Sequence, residues 1–207
     1  MGEVIVIGAG GHARTIGNIL KLMNNIKIIN FIDCFKKDNE KIVNKDVIQV
    51  ENIITYIQNQ KIQDVVLALG DNKKREYYFK ELNKRGYNFL NVIHPTAIIE
   101  DNVKLGNGVV IGAGVILGAE VIIKNNTIIN NGVIVDHESI IGNNVHIAPG
   151  TKIAGRVIIG NNTFIGVGSS IIDNISIGKN VIAGAGSVII KDIEDNAKVV
   201  GVPAKRI

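Results

Sequence analysis

Ile111-Gly-Ala-Gly-Val-Ile-Leu-Gly-Ala-Glu-Val-Ile-Ile-Lys-Asn-Asn-Thr-Ile-Ile129 carries an aliphatic side chain at every sixth position: Ile111, Leu117, Ile123 and Ile129. Stepping by six in both directions keeps the register, through Leu105 and Ile99 back to Ile93. Forward it runs through Val135, Ile141, Ile147, Ile153, Ile159, Ile165, Ile171, Ile177 and Ala183 to Ile189. Of these seventeen positions sixteen are Ile, Leu or Val, and the other is still small and apolar. Four residues after each aliphatic comes a second, mostly small position, as at Val109, Val115, Thr127, Ser139, Thr151 and Ser169. A sustained period of six is neither the 3.6 of a helix nor the alternation of a meander. It fits a coil with three short flat sides, three hexads to the turn. The aliphatic residues point into the prism, Gly or Asn sits at the corners, and neighbouring coils hydrogen-bond in parallel. Seventeen hexads make just under six coils.

The period changes before Ile93. Glu3–Ile7 reads as a short apolar strand, followed by a glycine cluster and a helix over about His12–Met23. Lys27–Ile32 reads as a second strand, Val50–Gln60 as a helix, and Asp64–Leu69 as a buried strand. Asn72–Arg85 is an amphipathic helix closed by Gly86. Strands alternating with helices imply a small parallel sheet with helices packed on it. The expected organisation is an α/β, Rossmann-like domain over residues 1–92 and a solenoid over 93–207.

Composition agrees. Hydrophobic residues make up 46% of the chain and charged residues 20%, which excludes a disordered chain. With no Trp and 4% aromatics, the core must be built from Ile, Val and Ala, residues that suit strands. The net charge of +4 is spread along the chain without a basic stripe, so nucleic acid is not the expected partner. The N-terminal apolar run is far too short for a membrane span and has no basic leader. The single Cys34 suits a reducing compartment. The expected location is therefore the cytoplasm.

Two stretches carry chemistry. Gly8-Ala-Gly10-Gly11-His12-Ala13 fits G-x-G-x-x-[GA] between a strand and a helix, with Asp33 twenty residues beyond Ala13. The glycines let backbone approach a phosphate, and the helix N-terminus favours its charge. A dinucleotide, another phosphate-bearing ligand and a purely structural turn all fit the pattern. The short stretch ahead of the solenoid leaves too little chain for a two-mononucleotide site and so disfavours a dehydrogenase. The second stretch is Val135-Asp-His137-Glu138-Ser-Ile-Ile-Gly-Asn-Asn-Val-His146-Ile-Ala-Pro-Gly150, in which three titratable groups interrupt a Gly/Asn-rich repeat. His137 lies two residues past an inward aliphatic, hence near a corner facing outward, and His146 follows half a coil later. Two His at this distance, without clustered Cys, are weak metal ligands. His94, ahead of Pro95, reads as a connecting residue.

The hexads Ile111-Gly-Ala-Gly-Val-Ile and Ile159-Gly-Asn-Asn-Thr-Phe, with the tail Val199-Val-Gly-Val-Pro-Ala-Lys-Arg-Ile207, resemble the left-handed parallel β-helix acyltransferases. Together with the Gly-Ala-Gly-Gly-His-Ala turn, the whole chain resembles the bacterial sugar acetyltransferases of the PglD and NeuD type. The resemblance implies acetyl-CoA as acyl donor and a nucleotide-linked amino-dideoxy sugar as acceptor, N-acetylated at its 4-amino group. It implies His137 as general base, Glu138 as the carboxylate that orients it, and direct transfer without an acyl-enzyme. His146 and the backbone N–H of Gly155 would place the donor, with Gly166 and Ala183 leaving room for its pantetheine arm and Lys205 meeting its phosphates. Gly8, Gly10, Gly11, His12 and Asp33 would hold the nucleotide-sugar. It also implies a homotrimer with sites between neighbouring prisms. Relatives that bind UDP-sugars often carry a second polar residue after this Asp, whereas Cys34 and Phe35 follow here. O-acetylation of a sialic-acid-like sugar would use the same base. A non-catalytic sugar-nucleotide-binding solenoid is the alternative of another class, and the Asp136-His137-Glu138 cluster argues against it.

Overall fold

Val4, Ile5, Val6 and Ile7 are each at most 1% exposed, because the strand they form lies inside a parallel sheet. The computed structural model describes residues 2–207, and the chain divides after Pro95 into two compact units. The first unit runs β1 (Gly2–Ile7), α1 (Gly11–Leu22), β2 (Ile26–Asp33), β3 (Lys41–Ile42) and β4 (Lys45–Gln49). It continues with α2 (Ile53–Gln58), β5 (Asp64–Leu67), α3 (Asn72–Asn83) and β6 (Asn88–Phe89). The sheet order is β3-β4-β2-β1-β5-β6, parallel except for the β3–β4 hairpin.

Helices α2 and α3 begin where a polar cap takes one of their free N–H groups. Asn52 accepts from the Thr55 N–H (3.0 Å), and Asp71 from the Lys74 N–H (2.8 Å). Helix α2 is shorter than its apolar pattern suggests, since the cap at Asn52 sets its start. Two elements carry no strong signal in the sequence. The β3–β4 hairpin turns through Val43 and Asn44, both at positive φ (44° and 66°), a two-residue turn normally marked by Asn-Gly. β6 is only two residues long. Ile5, Ile7, Ile32, Val65, Ile57, Leu82 and Phe89 gather in one apolar cluster between the sheet and the helices. At ~1.5–3 kcal/mol for each fully buried large aliphatic side chain, this cluster is what holds the unit together.

The second unit is a parallel β-helix built from two-residue strands. Pairing partners are eighteen residues apart: Ile129 with Ile147, Val135 with Ile153, and Ile141 with Ile159. Each side of the prism is thus a parallel sheet, one carrying Val110–Ile111, Ile128–Ile129, His146–Ile147, Phe164–Ile165 and Ile182–Ala183. The hexad aliphatics Ile111, Ile129, Ile147 and Ile165 are fully buried. The small positions are buried as well, and where they are hydroxylic they are satisfied. Thr127 Oγ1 donates to the Gly142 carbonyl (2.8 Å) and accepts from the Val145 N–H (3.2 Å). Ser139 and Thr163 repeat the arrangement. An unmade bond at such a site would cost about 1–3 kcal/mol.

Glycine serves two purposes in the repeat. At Gly118, just after Leu117, φ is ordinary but an added Cβ would lie 2.8 Å from the His137 backbone N, so glycine is required by the closeness of the next coil. From Ile99 to Ala183 the backbone turns at positive φ three residues after each hexad position, and these corner residues form three columns. One is glycine throughout: Gly114, Gly132, Gly150, Gly168 and Gly186. A second, from Asn126 to Asn180, is an asparagine ladder: Asn126 Nδ2 donates to Asn144 Oδ1 and Asn144 Nδ2 to Asn162 Oδ1, both at 2.8 Å. The third reads Asn102, Glu120, Glu138, Arg156, Asn174. It alone places charge in the left-handed conformation, which costs an ordinary side chain about 1–2 kcal/mol that Gly or Asn largely avoids. No helix among the described residues is long and apolar enough to cross a membrane.

Candidate active site

The charged corner is where His137 lies. Val135 is buried in the prism, the chain turns through Asp136 and His137, and Glu138 occupies the corner at φ +57°. The turn is pinned by its own side chain, since Asp136 Oδ1 accepts from the His137 N–H at 2.7 Å. His137 Nδ1 lies 3.0 Å from Glu138 Oε2, with both side chains roughly half exposed. The Glu138 carboxyl is held below the ordinary carboxylate range, first by its hydrogen bond to His137 and then by that to Arg156. An ionised carboxylate only accepts, so Nδ1 is the donor to it, and in the neutral ring Nε2 presents its lone pair.

One coil further on, Arg156 Nε donates to the same Glu138 Oε2 at 2.9 Å. The residue before it, Gly155, lies directly under the imidazole: a Cβ there would come 2.5 Å from His137 Nε2. Its φ is not positive, so glycine is required by the ring and not by the backbone. No acceptor among the described residues takes the Gly155 N–H.

Half a coil from His137, His146 projects from the outward side of its strand. Its ring packs edge-on against Phe164 at 5.2 Å, and its Nε2 approaches Asn130 Nδ2 at 3.5 Å. Gly166 ends the neighbouring strand, so close to the following coil that a Cβ would meet the Ala185 N at 2.5 Å. Ala183 is fully buried in the prism, and its carbonyl accepts from the Gly166 N–H. Lys205 lies in a short strand antiparallel to Lys198–Val200. With Lys191, Glu194 and Pro203 it lines a cavity of about 410 Å³.

The other site belongs to the first unit. From β1 the chain goes through α1 to β2 on one side, while β5 pairs on the other, so the ends of β1 and β5 form a topological switch point. Gly8 leaves β1 at φ +117°, where a Cβ would strike the Ala68 carbonyl oxygen at 2.7 Å. Asp33 Oδ2 accepts from the Ala9 N–H (2.8 Å) and Oδ1 from the Phe35 N–H (3.3 Å), so this carboxylate holds the turn in shape. Gly10 caps α1 and Gly11 opens it, with His12 in its first turn and Ala13 fully buried against the sheet. Nothing of the protein lies within 4 Å of a Cβ built on Gly10 or Gly11. Their lack of side chains keeps open a space that the fold itself does not fill.

Across the switch point the loop after β5 is held by Arg75, which is 1% exposed and donates to the carbonyls of Leu69 (3.1 Å) and Gly70 (3.4 Å) and to Asn72 Oδ1 (2.8 Å). Burial lowers its pKa to about 9, partly offset by Asp71, so it stays cationic at neutral pH. Neither Arg75 nor Arg156 is named by the sequence motifs. For Arg156 the signal was available: it is Glu138 plus one coil. For Arg75 none was, because its burial is a tertiary event.

Residues 3–82 match the family model described as the PglD N-terminal domain. No curated protein matches the chain by sequence. Among solved structures, PerB from Caulobacter crescentus, determined with CoA and GDP-perosamine, is 32% identical with a TM-score of 0.92, covering 100% of this chain and 98% of its own. Two histidine mutants, to Ala and to Asn, of perosamine N-acetyltransferase from Caulobacter crescentus, solved with CoA and GDP-perosamine, are 31% identical at a TM-score of 0.91. The acetyltransferase domain of PglB from Neisseria gonorrhoeae FA1090 is 28% identical at a TM-score of 0.89, covering 99% of this chain and 99% of its own. WeeI from Acinetobacter baumannii AYE is 25% identical at 0.89, covering both chains fully. With this likeness over its whole length, the chain belongs to the PglD/NeuD-type sugar acetyltransferases, enzymes built on a left-handed parallel β-helix.

Proposed function

We propose that the protein transfers the acetyl group of acetyl-CoA to the 4-amino group of a nucleotide-linked amino-dideoxy sugar in the cytoplasm. The observation that carries this reading is the His137–Glu138 pair on the one charged corner of the prism. Two likenesses support the substrates: to the enzyme solved with CoA and GDP-perosamine, an amino-dideoxy sugar nucleotide, and to the PglB domain solved with acetyl-CoA.

The amine attacks the thioester carbonyl while its proton passes to His137 Nε2. The carbon–nitrogen bond forms, the carbon–sulfur bond breaks, and the CoA sulfur leaves, taking up a proton as the imidazolium is discharged. Glu138 fixes the tautomer and stabilises the imidazolium, and the Gly155 N–H is aimed at the oxygen that gains charge. His146 places the donor, with Gly166, Ala183 and Lys205 along its length. Residues 1–92 serve as the nucleotide-sugar domain and 93–207 as the transferase domain, with Gly8, Gly10, Gly11, His12 and Asp33 holding the nucleotide-sugar. The exposed apolar side chains Ile98, Ile158, Val167 and Ile182 support the burial of the outer prism faces against neighbouring copies in a homotrimer.

The test is CoA-thiol release from acetyl-CoA against GDP- and UDP-linked 4-amino sugars, their 4-hydroxy counterparts and free sialic acid. Turnover is expected with an amino sugar nucleotide. Turnover with the hydroxyl acceptors alone would make the protein an O-acetyltransferase, and turnover with none would remove the reading. The nucleotide-sugar site has its own test in Gly10→Ala. The added methyl meets nothing in the protein, so KM for the sugar nucleotide should rise about tenfold or more while KM for acetyl-CoA and the melting temperature hold. Unchanged KM values would remove that site.

A further inference from the structure

Arg156 occupies a backbone position that folding alone would give to another residue. Every sixth residue of the solenoid turns at positive φ, and nearly all of these corners are Gly or Asn. In the column of Arg156 the ends are Asn102 and Asn174. A long cationic side chain at φ +58° gains the repeat nothing, so its purpose lies in what its head touches.

What it touches is one oxygen. Arg156 Nε donates to Glu138 Oε2 at 2.9 Å, and His137 Nδ1 lies 3.0 Å from that same atom. The Arg156 N–H also donates to the His137 carbonyl at 2.9 Å, so the coil register locks the two residues together. Along the same edge of the prism the coil register places Asp136 and Glu138 on the coil of His137, Glu120 one coil before, Arg156 one coil after and Asp173 two coils after. Asp136 is engaged by the His137 backbone N–H, and of these carboxylates only Glu138 is bonded to the ring.

We infer that Arg156 is a positioning residue that acts through Glu138, balancing its charge so that the imidazole of His137 stays unprotonated near neutral pH. A carboxylate alone beside a histidine favours imidazolium, which would block a base before the reaction starts. With the guanidinium on the same oxygen, the three groups sum to zero when His137 is neutral. The inference rests on the reading of His137 as the base.

The experiment is the pH profile of kcat/KM for Arg156→Asn, a change that keeps the corner conformation. The acid limb should move upward by about half to one pH unit, a threefold to tenfold loss on that limb, while the high-pH plateau stays within about twofold. In a Glu138→Gln background the same substitution should move the limb less, because the ion pair that holds the exposed guanidinium beside the ring is gone. An unmoved limb in the single variant, an equal loss at every pH, or the same shift in the Glu138→Gln background would each overturn the inference. Failure of the base reading itself is seen separately, as full activity in His137→Ala.

Discussion

Replacing His137 with alanine is expected to lower kcat/KM by about 10²–10⁴-fold, the usual contribution of a positioned general base. The loss should fall on kcat, because the imidazole acts on a proton that moves only as the carbon–nitrogen bond forms. The fold should not notice. The side chain is 46% exposed, and the backbone bonds of His137, from its N–H to Asp136 and from Arg156 to its carbonyl, do not involve the ring. A melting temperature equal to that of the unaltered protein, with thiol release lowered by about 10²–10⁴-fold, is the expected pair of results. Activity within twofold of the unaltered protein would remove His137 as the base and leave attack to be promoted by proximity and the Gly155 N–H alone.

The solenoid was readable from sequence because its determinants are local and repeated. An inward Ile, Leu or Val recurs at sixteen of seventeen positions with a mostly small residue four later, and one misleading hexad cannot move the register. What the period also contained, and a linear reading leaves unused, is the next coil. Adding eighteen to His137 gives Gly155, and adding eighteen to Glu138 gives Arg156. Both are therefore neighbours of the pair, the first by steric contact and the second by an ion pair. His146 and Phe164 are related in the same way. The first unit was less legible. Its parallel strands and the turn after β1 follow from apolar runs and glycines, but the β3–β4 hairpin turns on Val43 and Asn44 with no glycine to mark it. The motif marks Asp33 but not what it bonds within the fold, where its carboxylate accepts from the Ala9 N–H and from that of Phe35. Hydrogen bonds between loops far apart in sequence leave no periodic trace.

Gly155→Ala is expected to reduce kcat/KM by about a hundredfold without loss of stability, and its contrast with Gly166→Ala is what makes the result informative. At both positions an added Cβ would come within 2.5 Å of another atom. At Gly166 that atom is the backbone N of Ala185, with the Gly184 carbonyl carbon at 2.6 Å, so the coils themselves must separate. Overpacking of this kind costs about 1–3 kcal/mol and should lower the melting temperature by several degrees. At Gly155 the obstacle is the far end of the His137 side chain, which can rotate out towards solvent. The methyl then stands where the imidazole stood, Nε2 no longer faces the reacting amine, and the hydrogen bond to Glu138 is lost with it. Stability is kept because Gly155 has an ordinary φ and its backbone bond to Asn174 is untouched. The two substitutions should therefore separate: one loses activity alone, the other loses melting temperature. If Gly155 acts only through the place it gives His137, Gly155→Ala in a His137→Ala background should cost nothing further. A further tenfold loss there would instead identify a direct role for the Gly155 N–H at the developing oxyanion, displaced along with the ring.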